Sequence, residues 1–174
     1  VSMSGAAEKP LVTLEVSFGE APPQGMVTPL CQSLYELCRP VLGDEDAASR
    51  LRLTAHELME NIVKYSAASP CELRFELREA ATGALSAHVQ TRNVPRAENR
   101  ADAEERLEAL TAARDPLEHY DSIIADSARQ PAGSGLGLAR IQAETEFRLS
   151  HRFEGDALLI SANGEVWLKK GALP

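Results

Sequence analysis

The sequence lacks the features that would direct it to a membrane or to nucleic acid. No apolar run approaches the roughly 18 residues that a membrane-spanning helix needs, and no apolar secretory segment precedes the first predicted strand. Lys and Arg form no block, and the net charge of −8 has the wrong sign for a surface that binds phosphate backbones. We therefore expect a cytoplasmic protein that binds neither nucleic acid nor a membrane.

Cysteine is also scarce, and the three cysteines, Cys31, Cys38 and Cys71, are an odd number that cannot all be paired. Cys31 and Cys38 are seven residues apart in a predicted helix, which separates them by about 10 Å, too far for a disulfide. The three match no zinc-ligand spacing, and the four histidines are scattered. The sequence thus predicts buried, reduced thiols.

Length and composition suit one domain. The chain has 174 residues, of which 44% are hydrophobic, and it contains no internal repeat. A chain of this size can bury a sizeable core. We expect residues 1–10 to be a flexible N-terminus and residues 11–174 to form a single domain.

The hydrophobic pattern predicts an alternation of strands and helices. Alternating or bounded apolar segments predict strands at residues 11–18, 71–79, 85–92, 147–153, 157–162 and 166–168, with turns at 81–83, 155–156 and 163–164. Helical spacing predicts helices at residues 26–38, at 46–66, twice between 98 and 130, and from Leu136 onwards. The second helix of the 98–130 region has an N-cap at Asp115, and its apolar residues, including Leu117 and Ile124, are expected to face the start of the last helix. Together, these strands and helices predict an α/β two-layer sandwich, in which helices cover one face of a mixed, mostly antiparallel sheet.

A glycine-rich stretch opens the last helix, where residues 133–141 read Gly-Ser-Gly-Leu-Gly-Leu-Ala-Arg-Ile. Glycine at alternate positions permits positive φ and a close approach of the backbone to a ligand. The free N–H groups and the positive dipole end of the following helix favour an anion. The stretch predicts a phosphate site, with a merely flexible helix start as the alternative interpretation of Gly133 and Gly135.

A second motif lies in the helix at residues 46–66. At about 100° per residue, Glu57, Asn61 and Lys64 share one face, opposite the apolar side formed by Leu58 and its neighbours. Asparagine is a poor residue for a helix interior because its amide competes for backbone hydrogen bonds. Most polar helix faces are simply solvated, but Asn61 favours a functional role for this one.

The two motifs, in this order and with two strands between them, resemble the ATP-binding domain of the histidine-kinase-like (GHKL) family, which includes histidine kinases, gyrase-type ATPases and anti-sigma-factor serine kinases. The resemblance covers residues 11–169. It implies ATP and Mg²⁺ as ligands, with Asn61 as the Mg²⁺ ligand, Glu57 as the general base and Lys64 as a phosphate contact. It also implies a phosphate loop made of Gly133, Gly135, Leu136 and Gly137.

The adenine motif departs from the family pattern. The family carries Asp-x-Gly-x-Gly after the second middle strand, where the Asp accepts a hydrogen bond from the adenine amino group. Here that strand runs into Asn93, Val94 and Pro95. Asn93 keeps an accepting carbonyl oxygen, but both glycines are missing and Pro95 stiffens the backbone. Two predicted helices also replace the mobile lid of the family.

This combination resembles the SiaB-type branch of the anti-sigma kinase group, which implies partner switching with a small regulatory protein of the antagonist-domain or receiver-domain type. Two hypotheses follow. The protein is either an ATP-dependent protein serine/threonine kinase, or a domain that has lost nucleotide and sequesters or scaffolds its partner. An unrelated fold with an incidental glycine turn is a third interpretation, and a homodimer is left open.

Overall fold

A computed structural model of the chain describes residues 10–79, 85–127 and 135–166. These contain five strands and five α-helices: β1 (Pro10–Phe18), α1 (Val27–Leu42), α2 (Glu45–Tyr65), β2 (Ser66–Glu79), β3 (Leu85–Pro95), α3 (Arg100–Ala112), α4 (Pro116–Ser127), α5 (Leu136–Glu144), β4 (Arg148–Glu154) and β5 (Ala157–Val166). Short 3-10 turns at Gln24–Met26 and Ala97–Asn99 precede α1 and α3. The expected flexible segment up to residue 9, the turn at 81–83 and Gly133 lie outside the described residues.

The five strands form one sheet in the order β1-β2-β3-β5-β4, and every described pairing of neighbours is antiparallel. Alternation along β3 gives the sheet two different faces. Leu85, Val89 and Asn93 lie on the buried face, which packs against α2. The predicted two-layer α/β sandwich with a mostly antiparallel sheet is confirmed.

The core lies between this face of the sheet and the helices α1, α2 and α5. Leu34 of α1, Leu58 of α2 and Ile141 of α5 are fully buried in the same cluster as Phe75 of β2. The cysteines belong to this core, are unpaired, and are buried as predicted. Burial raises the pKa of the Cys31 and Cys38 thiols to about 12, so both are protonated at neutral pH. Within the described residues, no helix has the length and apolarity to cross a membrane.

The start of α4 follows the local sequence signal. The Asp115 carboxylate accepts hydrogen bonds from the N–H groups of Leu117, at 3.0 Å, and Glu118, at 3.1 Å, and Pro116 is the first residue of the helix. The predicted packing of α4 is only partly correct. Tyr120 and Ile123 pack against the core, whereas Leu117 and Ile124 are exposed.

The predicted turn at Asn163 and Gly164 is wrong. Both residues lie inside β5, with Asn163 opposite His88 and Gly164 opposite Ala87 of β3. The glycine serves packing instead, because a Cβ atom at Gly164 would lie 3.0 Å from a ring carbon of Phe147, a buried residue. A single strand therefore replaces the predicted pair at 157–162 and 166–168, as far as the described residues extend.

The other face of the sheet is polar. The buried carboxylate of Glu76 accepts hydrogen bonds from Arg74 and Arg78, and these bonds lower its pKa. On the neighbouring strands, His88 Nδ1 lies 2.7 Å from Asn163 Oδ1. The first contacts lie within β2 and the last joins β3 to β5, and such polar pairs are typical of a sheet face that contacts water.

We expect Gly164→Ala to lower the free energy of unfolding by about 1–2 kcal/mol, because the added methyl group overpacks the Phe147 ring. Gly19→Ala is the matched control, since no atom lies within 4 Å of a Cβ there. Urea denaturation of both variants, and of Gly164→Ala combined with Phe147→Leu, measures the effect. The packing constraint would be contradicted if both glycine variants lost the same free energy of unfolding. It would also be contradicted if Phe147→Leu restored none of the stability lost in Gly164→Ala.

Candidate functional site

The candidate site lies where the C-terminal half of α2 meets the first turn of α5. The side chain of Glu57 in α2 is only 16% exposed. Its carboxylate lies directly against Gly137 of α5, so that a Cβ atom at Gly137 would overlap an Oε atom and lie 3.3 Å from Cδ. The glycine thus allows α5 to approach α2 at the position of this acid. Two residues that are 80 positions apart in the chain, and that the sequence assigned to one site, are in contact.

Arg140, which belongs to neither sequence motif as a site residue, also contacts Glu57. Its Nη1 atom lies 3.4 Å from Glu57 Oε1, and its Nε donates to Glu144 Oε2 at 3.0 Å. The Glu144 hydrogen bond and the nearby Glu57 charge both raise the pKa of Arg140. The spacing of Arg140 and Glu144 signals only a helical ion pair, and the link to Glu57 depends on how α5 packs on α2.

Asn61 lies one turn beyond Glu57, about 6 Å further along the helix axis. Its Nδ2 donates to the backbone carbonyl of Glu57 at 2.8 Å. This bond satisfies the amide nitrogen within the helix and explains how an asparagine is tolerated there. Among the described residues no group donates to Oδ1, which is the atom that can bind a cation.

Lys64 does not turn toward α5. Its Nζ lies 3.1 Å from Glu60 Oε2, one turn back along α2, and Glu60, whose side chain is 15% exposed, also accepts from Gln24. The structure therefore pairs Lys64 with a carboxylate of its own helix. A contact between Lys64 and phosphate stays a prediction.

The first turn of α5 has the conformation that the glycine motif predicts. Gly135 is the N-cap residue, with φ 65°, and no described side chain caps the helix. No atom lies within 4 Å of a Cβ at Gly135, so the space beside it is open. The N–H groups of Leu136 and Gly137 belong to the part of a helix that has no intrahelical acceptor. Such a terminus can bind an anion, and the carboxylate of Glu57 lies beside it.

Asn93 is buried on the helix-facing side of β3. The end of β3 lies at the C-terminus of α2, because the Arg96 N–H donates to the Tyr65 carbonyl at 3.2 Å and Pro95 lies opposite Ser66. Asn93 and Asn61 therefore belong to the same end of the sandwich. The chain at Asn93 continues as a strand, whereas the family motif has glycines there.

A surface cavity of about 900 Å³ lies elsewhere, on the polar face of the sheet, and its lining includes Arg78, His88, Arg148 and Asn163. None of the predicted site residues lines it. Within the described ranges, no cluster of three or more His, Cys, Asp or Glu side chains could hold a metal ion. A metal at Asn61 would thus depend on its phosphate ligand for further coordination.

No protein-family model and no curated protein matches this sequence. Among solved structures, the crystal structure of the SiaB-SiaC complex from Pseudomonas aeruginosa contains a similar chain. The identity is 12% and the TM-score is 0.54, and the alignment covers 87% of this chain and 89% of that chain. At this identity the likeness shows a shared fold.

The contact between Glu57 and Gly137 predicts a coupled effect on stability. In a Glu57→Ala background, Gly137→Ala should raise the free energy of unfolding by about 0.5–1 kcal/mol, because alanine is the better helix former. With Glu57 present the same change should give no gain, because the methyl group displaces the carboxylate from Arg140. Urea denaturation of the four proteins measures this coupling. An equal gain in both backgrounds would mean that α5 does not press on Glu57.

Proposed function

We propose that this protein is a signalling regulator with one GHKL-type nucleotide-binding domain, and that it acts on a small partner protein as an ATP-dependent serine/threonine kinase. The observation that carries the proposal is the contact between Glu57 and the glycine-opened start of α5, with Asn61 one helical turn from Glu57. The fold shared with a chain of the SiaB-SiaC complex supports a partner-switching role.

The residues present suit Mg·ATP. The open space at Gly135 leaves room for phosphate oxygens at the N–H groups of α5, and the Asn61 Oδ1 atom has no donor among the described residues. When bound, Mg·ATP supplies the terminal phosphoryl group. Asn61 would hold the metal through Oδ1, and the first turn of α5 would hold the phosphate chain.

Glu57 would then act as the general base. It accepts the proton of a serine or threonine hydroxyl of the partner while the oxygen forms its bond to phosphorus and the bond to ADP breaks. Arg140 orients the Glu57 carboxylate through their ion pair. A single amide as the protein's metal ligand fits the slow turnover of a switch.

A second function is favoured by the region of Asn93. The strand β3 continues through Val94 and Pro95, so the family's glycine-lined space for adenine is replaced by backbone paired with β2. This observation favours a domain that sequesters or scaffolds a partner without using nucleotide.

We expect millimolar Mg·ATP or Mg·ADP to raise the melting temperature, because ligand that binds only the folded state stabilises it by about 2.7 kcal/mol at 100 times Kd. Asn61→Ala should weaken this shift by removing the metal ligand, and EDTA should do the same to the parent protein. Asn163→Ala, on the opposite face of the sheet, is the matched control and should leave the shift unchanged. No shift for the parent protein would reject nucleotide binding and favour the sequestering function.

We expect Glu57→Gln to keep nucleotide affinity but to reduce partner phosphorylation by about 100-fold or more, the contribution of a general base. Transfer of label from radiolabelled ATP to purified antagonist-domain and receiver-domain proteins measures this. Glu36→Gln is the control, because Glu36 is an exposed acid of α1 that pairs with Arg39 and is none of the candidate site residues. Equal labelling by parent and Glu57→Gln would remove Glu57 from the mechanism. Complex formation without any labelling would leave sequestration as the function.

A further inference from the structure

The helices α3 and α4, which lie in the chain between β3 and α5, carry much of the negative charge of the protein. Residues 100–127 contain eight Asp and Glu residues against three arginines, and thus contribute −5 to the total of −8. Among the described residues, Asp102 pairs with Arg106, whereas Glu118 and Asp121 form no ion pair. Uncompensated charge of one sign is repulsive in the free protein and is relieved by a surface of opposite sign.

One side of α4 combines this charge with exposed apolar groups. Leu117 is 58% exposed and Ile124 is 44% exposed. These two residues are seven positions apart, so they lie on one stripe of the helix, and Asp121 lies between them. Glu118 flanks the stripe. We call Leu117, Glu118, Asp121 and Ile124 the α4 face.

The α4 face is held in a fixed orientation. Tyr120 and Ile123, on the adjacent side of α4, pack against the core. The Asp115 cap fixes the start of the helix. Helix α4 also packs against α5, the helix whose first turn is the candidate phosphate site. A partner bound to the α4 face is therefore held by a helix that contacts the helix of the candidate site.

We propose that the α4 face docks a protein partner whose contact surface has an apolar centre ringed by lysines or arginines. The apolar centre covers Leu117 and Ile124, and the basic ring pairs with Glu118 and Asp121. This proposal rests on the proposed function in one respect, since it supplies the partner surface that a partner-switching regulator needs.

The charges of the face argue against the other occupants. A second copy of this chain, docked by two-fold symmetry, would bring Asp121 and Glu118 against the same acids of its neighbour, which is repulsive. Nucleic acids and anionic lipid surfaces are repelled for the same reason. A basic protein surface is the occupant whose charge complements the face.

The test uses a fluorescent amphipathic helical peptide with leucines on one side and lysines on both flanks, and a counterpart with glutamates in place of the lysines. Fluorescence anisotropy should detect binding of the lysine peptide only, weakening as salt increases. Leu117→Ser combined with Ile124→Ser should weaken binding by about fivefold or more, as expected for exposed groups that become buried at a contact. Leu37→Ser on α1 is the matched control, because Leu37 is similarly exposed.

The contribution of Asp121 to peptide binding is tested with a second, charge-matched pair of variants. Asp121→Lys and Glu20→Lys change the net charge equally, but only Asp121 lies on the α4 face, so only Asp121→Lys should weaken binding by about fivefold or more. Equal losses for these two variants would show non-specific attraction by net charge and would overturn the proposal. Retained binding in the Leu117 and Ile124 double variant would overturn it as well. So would self-association of the parent protein, measured by sedimentation, that this double variant abolishes.

Thermal shifts with Mg·ADP on the same variants separate the two proposals. Peptide binding that depends on the α4 face, without any nucleotide shift in the parent protein, rejects the kinase function and supports the docking surface. A nucleotide shift in every variant, with peptide binding that ignores the α4 face, rejects the docking surface and leaves nucleotide binding standing.

Discussion

The burial of one side of α2 against the sheet is the constraint on which the rest of the structure depends. Leu51, Leu58 and Ile62 are fully buried between α1 and the strands, and each such side chain contributes about 1.5–3 kcal/mol. A helix held by these contacts cannot rotate without exposing them. Glu57 is therefore held against α5, and the position of the candidate site follows from the packing of the core.

The contact between Glu57 and Gly137 connects the two halves of this site. It requires a residue without a side chain on α5, and it places a carboxylate beside a helix terminus that also suits phosphate. A carboxylate and a phosphate at one terminus repel each other unless a cation lies between them. Asn61 and Arg140 are the neighbouring residues that can bring such charge, Asn61 by holding a metal and Arg140 through its guanidinium. Under the proposed function, nucleotide binding would be linked to the position of Glu57.

The two outer surfaces of the sandwich have different characters. On the open side of the sheet, acids are neutralised within the molecule, as Arg74 and Arg78 neutralise Glu76. On α4, Glu118 and Asp121 have no such partner among the described residues, and apolar groups lie beside them. Charge that is not balanced inside a protein is available for a partner, so α4 differs from the sheet face in what it can bind.

The sequence alone determined the features that rest on local geometry. The cap at Asp115, the positive φ of Gly135 and the common face of Glu57 and Asn61 each depend on neighbours within about one or two helical turns, where the stereochemistry of the chain decides. The tertiary structure decided the features that depend on contacts between segments far apart in the chain. Gly164, with the local signal of a turn, became part of a strand because β3 pairs with it and Phe147 lies against it. Arg140 joined the site only because α5 lies on α2, and Leu117 stayed exposed because Tyr120 and Ile123 supply the packed side of α4. These outcomes depend on pairing and packing energies between residues far apart in the chain, which no local pattern contains.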